Sequence, residues 1–369
     1  MMSLIKKKKK WFGLIANFLF FSWLTTAIAL GPWRWEKTNP FFLKYFGFNF
    51  GFKNILEKGQ PVTPSLFSED QKIYQLNKIT VAVIDSGLGG LAIMAEAAER
   101  LAKAKIYRQV NLIFFNALFS TQGGYNALPT REARLEMFDR VLNSLEKKIQ
   151  PDLILIACNT LSALYPSTHF AHKTKKPVLD IIQPGINLIS QQLKKEPQAV
   201  VIILGTPITI SEDIHRQILL NQGFARHRLF TQACPELELF IERNPEGEET
   251  AWLISAYLNE ALEKISKPWP PIILSLNCTH YGYSLRLWAN AARENNLNYT
   301  IVNPNSGLVD LWLKPGLKAR FPETQIKASC LSKVPINNSQ KLTIATFLKK
   351  ISPIIAEALI NYQLEPRLF

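Results

Sequence analysis

The sequence predicts an α/β protein made of two pseudo-symmetric parallel-sheet lobes with an active site between them. Three observations lead there. Short aliphatic runs alternate with helical patterns from residue 79 onward, and strands apolar on both faces, separated by helices, belong to parallel sheets with crossover helices. The pattern is also duplicated. ITVAVI opens into Asp85-Ser86-Gly87 and, 73 residues on, LILIA opens into Cys158-Asn159-Thr160. VVIIL then opens into Gly205-Thr206-Pro207 and, again 73 residues on, IILSLN opens into Cys278-Thr279-His280. Positions 85 and 205 stand 120 apart, as do 158 and 278. Finally, all four tripeptides fall at carboxyl ends of predicted strands, where open parallel sheets bind ligands. A duplication of this kind sets two thiols facing each other across a cleft. Two opposed proton-transfer groups are what inversion of a carbon stereocentre requires.

The elements follow in order. Lobe 1, residues 78–184, is predicted to hold strands at 79–84, 110–115 and 152–157 and helices at 90–104 and 131–149. Lobe 2, residues 185–310, repeats the alternation with strands at 199–204 and 271–276 and helices at 211–222, 249–265 and 281–294. Gln183-Pro184-Gly185 punctuates the join. Residues 311–369 are expected to pack on the lobes, mainly through a helix over 339–362. With 369 residues, 47% hydrophobic and 20% charged, the chain has enough apolar content for two lobes and too much for disorder.

The net charge of +14 is uneven, with Lys6 to Lys10 in one block. There is no zinc-finger spacing, RNA-binding aromatic motif or single basic helix, so a nucleic-acid partner is not expected. The four cysteines, at 158, 234, 278 and 330, lack the paired short spacing of a metal site and are too sparse for a disulfide framework. Behind the lysine block, residues 11–30 carry no charge. That length spans a bilayer as a helix, oriented with the lysines inside, while Ala27-Ile28-Ala29 suits signal cleavage. Membrane anchor and signal peptide both fit. Either puts the rest of the chain outside the cytoplasm, with residues 31–77 as a linker and the membrane as a partner through the N-terminal segment.

The motifs carry the chemistry. DSGLGGL, Asp85 to Leu91, follows a strand and precedes a helix, but lacks the glycine and lysine spacing of a nucleotide loop. Its amides could still hold a carboxylate. A lone cysteine is usually an inert buried thiol, yet Cys158 is followed by Asn159 and Thr160, and Cys278 by Thr279 and His280. A core position would want aliphatics there, and the imidazole can tune a thiol or move a proton. Cys234 and Cys330 lack such company and read as structural.

DSGLGGL, LIACNT, LGTPIT, ACP (233–235) and NCTHY resemble, in order and spacing, the motifs of the cofactor-independent glutamate racemase and aspartate/glutamate racemase superfamily, over about residues 79–310. The resemblance implies an amino-acid racemase that interconverts L- and D-glutamate without any cofactor, supplying a D-amino acid for peptidoglycan. It implies Cys158 and Cys278 as thiolate base and thiol acid on opposite substrate faces, with Asp85 assisting Cys158 and His280 assisting Cys278. Ser86, Asn159, Thr160 and Thr279 would grip the amino and carboxylate groups, with Thr206 and Thr209 nearby. The family's Gly-Asp-Thr and Pro-Tyr-Gly segments are replaced by Asn116-Ala117-Leu118 and Gly124-Tyr125-Asn126, and its Asp-Ser by Asn305-Ser306. Tyr125 and Asn126 therefore match a side-chain-binding loop of altered composition, which predicts that glutamate is not the best substrate, or is a weak one. Another acidic amino-acid or hydantoin-type racemase, and a non-catalytic amino-acid-binding relic, are the alternative readings. A homodimer is left open.

Overall fold

Ten strands in two all-parallel sheets organise the computed structural model, which describes residues 71–369. The lysine block, the apolar segment 11–30 and residues 31–70 of the linker lie outside the described residues. The strands are β1 (Lys78–Asp85), β2 (Gln109–Asn116), β3 (Leu153–Ile156), β4 (Val178–Asp180), β5 (Val200–Gly205), β6 (Leu229–Ala233), β7 (Ile272–Asn277), β8 (Tyr299–Val302), β9 (Gln325–Ser332) and β10 (Gln363–Leu364). Sheet one runs β10-β9-β2-β1-β3-β4 and sheet two β6-β5-β7-β8. The order β2-β1-β3-β4 therefore recurs as β6-β5-β7-β8, and the duplication read from motif spacing is a duplication of topology. Every residue of β3, β5 and β7 is buried, as both-face coverage by crossover helices demands. Each buried Leu, Ile or Val there stabilises the fold by roughly 1.5–3 kcal/mol relative to exposure.

Several boundaries differ from the sequence reading, each for a physical reason. Residues 311–369 do more than pack on the lobes: β9 pairs with the whole of β2, from Gln109↔Gln325 to Asn116↔Ser332, and β10 pairs with β9. The outer half of β9 is partly solvated, with Lys327 exposed, so its aliphatic signal is weak. The helix expected over 339–362 is two, Asn338–Lys349 and Pro353–Ile360, because Pro353 lacks the N–H a continuous helix needs and starts a new one instead. The helix expected over 211–222 is likewise two, Pro207–Glu212 and Ile214–Asn221, separated by Asp213 at φ 54°. Residues 279–284 form a 3₁₀ turn ahead of the helix Leu285–Glu294.

The lobe boundaries shift too. The helix Ile182–Lys195 runs unbroken through the expected join at Gln183-Pro184-Gly185. The last part of the linker is structured: Gln71–Gln75 is helical, Ile73 joins the core and the Tyr74 hydroxyl donates to the Trp312 carbonyl at 2.6 Å. Among the described residues no helix is long and apolar enough to cross a membrane.

Candidate active site

The carboxyl ends of β1, β3, β5 and β7 converge on one cavity of about 200 Å³, room for about six or seven waters at ~30 Å³ each or one small amino acid. All twelve residues singled out from sequence lie in its wall: Asp85, Ser86, Tyr125, Asn126, Cys158, Asn159, Thr160, Thr206, Thr209, Cys278, Thr279 and His280. Sheet one supplies Cys158 after β3, and sheet two supplies Cys278 after β7.

DSGLGGL is a close-packing turn. A Cβ on Gly89 would lie 2.3 Å from Thr279 Oγ1 and 2.8 Å from the His280 backbone nitrogen, so only glycine lets the two strand-end loops touch. That approach places Asp85 Oδ2 as acceptor for the Thr279 hydroxyl at 2.8 Å, while the Gly87 amide donates to Oδ1 at 3.2 Å. Burial raises the Asp85 carboxyl above its ordinary range, partly offset by His280 and by the Thr279 hydroxyl.

Ser86, rather than Asp85, meets the first thiol, its Oγ lying 3.2 Å from Cys158 Sγ. Burial, aided by the Asp85 charge, pushes Cys158 up to about 12, against the pull of the Ser86 hydroxyl and the Leu161 amide. At the second thiol, His280 Nδ1 stands 3.6 Å from Cys278 Sγ and its Nε2 lies 2.7 Å from Glu242 Oε1. Burial raises Cys278 as well, with His280 opposing it. For His280 burial acts downward, but Cys278 and Glu242 together outweigh it and hold the imidazole well above its ordinary value. The arrangement is a carboxylate, an imidazole and a thiol in a row, able to hold Cys278 as thiolate beside an imidazolium.

Glu242 was not singled out from sequence. It comes from the helix Leu237–Arg243, and it also accepts from the Leu88 amide at 2.8 Å and from Gln340 Nε2 at 3.3 Å. The available signal was its position four residues after Glu238, which puts both carboxylates on one helical face. The threonines divide by role. Thr279 is committed to Asp85, and Thr160, Thr206 and Thr209 share a triangle of hydroxyls at 2.9, 3.0 and 3.0 Å that joins the two lobes. Asn159 is different: it is 2% exposed, and neither its Nδ2 nor its Oδ1 has a partner. A buried amide in that state is prepared for a ligand carrying both donors and acceptors. Asn305 donates to the Thr279 carbonyl at 3.1 Å and so supports the second loop from behind. Cys234 and Cys330 are buried and are absent from the cavity wall.

Known proteins share this architecture. The glutamate racemase of Aquifex pyrophilus is 28% identical over 202 residues, 54% of this chain and 70% of that protein. The glutamate racemase of Helicobacter pylori strain G27 is 29% identical over 203 residues, 54% of this chain and 71% of that one. Among solved structures, glutamate racemase from Campylobacter jejuni superposes with a TM-score of 0.54 at 20% identity, over 73% of this chain and 98% of that chain. The Francisella tularensis glutamate racemase in complex with D-glutamate gives 0.55 at 18% identity, over 74% and 95%. These structural likenesses establish the fold. The profile of the Asp/Glu/Hydantoin racemase family matches residues 81–267, which run from within β1 through β6, include Cys158 and end just before the strand that leads to Cys278; with the duplicated sheets and a thiol at the matching strand end of each, the chain belongs to the Asp/Glu/Hydantoin racemase family.

Proposed function

We propose that the protein is a cofactor-independent amino-acid racemase working through Cys158 and Cys278. The observation that carries this reading is the placement of one thiol from each sheet in the wall of a single small cavity, at equivalent strand ends. One sulfur, as thiolate, takes the α-proton, and the C–H electron pair stays on carbon as a carbanion. The other, as thiol, delivers its proton to the opposite face. The enzyme is left with thiol and thiolate exchanged, ready for the reverse reaction. Glu242 and His280 favour the thiolate at Cys278, and the Asn159 amide suits the substrate's amino and carboxylate groups, which holds the α-carbon between the sulfurs.

Glutamate, the substrate named for the relatives, is the reference compound, and a D-amino acid for the cell wall is the product that use would imply. The test is incorporation of solvent deuterium at the α-carbon of L-amino acids, with appearance of the D-enantiomer. Tight binding without exchange or inversion would replace this reading with that of a binding protein. We also propose that the described unit works beyond a membrane, on the strength of Lys6 to Lys10 preceding the uncharged residues 11–30.

A further inference from the structure

The racemase reading leaves open which side chain the cavity accepts, and the cavity wall is rich in carboxylates. Glu236, Glu238 and Glu242 line the cavity together with Asp85, and neither lysine nor arginine is among the lining residues. The one imidazole, His280, has both ring nitrogens engaged by Cys278 and Glu242. Glu238 Oε1 accepts from Asn126 Nδ2 at 3.4 Å, whereas its Oε2 is buried without a partner. Tyr125, on the facing loop, is 4% exposed, and its hydroxyl is also without a partner. Two amides of that loop are already committed, Leu118 N–H to Asn116 Oδ1 and Gln122 N–H to Ser120 Oγ.

A carboxylate side chain is acceptor-only and needs donors or a cation around it. An ammonium brings three donors and no acceptor. Placing a second carboxylate beside Glu238, with Glu236 at the rim, sets like charges together, whereas an ammonium pairs with them and donates to the unpartnered Glu238 Oε2. We propose that the substrate is a diamino acid of ornithine or lysine length, its side-chain ammonium held by Glu238 with Glu236 at the rim and the Tyr125 oxygen as a further acceptor. This rests on the racemase reading for its chemistry and on the acidic wall for its specificity. Burial raises the Glu238 carboxyl, and an ammonium beside it favours the ionised form.

The experiment compares L-ornithine, L-lysine and L-glutamate with the full chain, reading kcat/KM from α-deuterium incorporation and binding from thermal shift. The diamino acids should exceed glutamate at least tenfold in kcat/KM, and Glu238→Gln should narrow that ratio at least tenfold. Preference for glutamate by the unmodified chain overturns the inference and leaves the racemase reading intact. Exchange with none of the three removes the racemase reading, and the thermal shift then decides the inference. Stabilisation by ornithine or lysine but not glutamate, lost in Glu238→Gln, upholds the acidic subsite, and equal or absent stabilisation overturns it. If Glu238→Gln lacks a cooperative melt, Glu236→Gln on the exposed rim serves in its place, with a smaller narrowing of the same ratio.

Discussion

Glu242 Oε1 and His280 Nε2 stand 2.7 Å apart, and the far nitrogen of the same ring faces Cys278 Sγ at 3.6 Å. The carboxylate thereby fixes the imidazole's orientation and favours its charged form, and through it the thiolate. Glu242→Gln keeps the size of the side chain and removes the charge. Its kcat/KM should fall roughly 10²-fold, the lower range for loss of an acid–base contribution. Enantiomers have equal free energy, so the fall must be the same for L- and D-substrate. Progress curves from each enantiomer check this, and an unchanged value would detach Glu242 from the chemistry.

Cys158→Ala and Cys278→Ala should each abolish racemisation, since each removes the only thiol on its side of the cavity. Cys234→Ala and Cys330→Ala should retain it, because those thiols are buried away from the cavity. Polarimetry on the four purified variants, with thermal melts as the control for folding, decides the matter. Near-normal turnover by Cys158→Ala would end the two-thiol mechanism.

Stability should fall as pH rises from about neutral. The folded state holds His280 protonated above its ordinary value of 6.5, so the stability it contributes is complete below that pH and is lost as pH climbs through the raised value. Asp85 acts in the same direction. Its folded carboxyl is raised from 3.8 by burial, so the folded chain holds more protons than the unfolded one above that pH, and ionisation there weakens the fold. Melting temperatures measured from pH 6.5 to about 8.5 should decline, and His280→Gln should flatten that slope. A parallel slope in the variant would assign the effect to other groups.

Arg131 and Glu212 clasp the lobes. Arg131 Nε donates to both Glu212 oxygens at 3.1 and 3.0 Å, and its Nη2 donates to Ser167 Oγ at 3.0 Å. Glu212 sits on the short helix that also carries Thr209. Glu212→Gln should cost about 1.5–3 kcal/mol, the range for hydrogen bonds to charged groups, and should raise KM more than it lowers kcat. Urea unfolding and steady-state kinetics measure the two effects separately.

On the export proposal, a reporter active only outside the cytoplasm, joined after Phe369 by a flexible linker, should be active in cells, since a lysine block ahead of an uncharged segment favours an inside N-terminus. An inactive reporter, with the full-length fusion soluble in the cytoplasm, would refute the export proposal.

The two parallel sheets, the inner strands and the wall residues at strand ends were legible because doubly covered strands leave unbroken aliphatic runs, and polar residues at their ends have no place in a core; Tyr125, Asn126 and Thr209 came from the family resemblance alone. What the sequence hid was made by tertiary contact. Glu242 reads as one more charged residue in ELELFIER, and only the approach of Leu88, His280 and Gln340 buries it. β4 has three residues, too few for a pattern to register, and β8, Tyr299–Val302, is only partly buried and lacks the all-aliphatic run that marks the equally short β3. β9 carries Gln325 and Lys327 on its solvated half and so lacks an aliphatic run.

The pairing of β9 along the full length of β2 has a consequence for how the chain is made. While synthesis proceeds from residue 117 to 324, β2 is a complete strand of sheet one with an open flank of unpaired N–H and C=O groups beside Phe114 and Phe115. A whole second sheet is translated before the strand that closes this flank leaves the ribosome. Such an edge is an adhesive template for other nascent chains, and its closure is a contact between residues more than 200 positions apart, as at Asn116↔Ser332. Yield in a host should therefore depend on chaperone capacity and growth temperature far more than the stability of the finished fold would suggest.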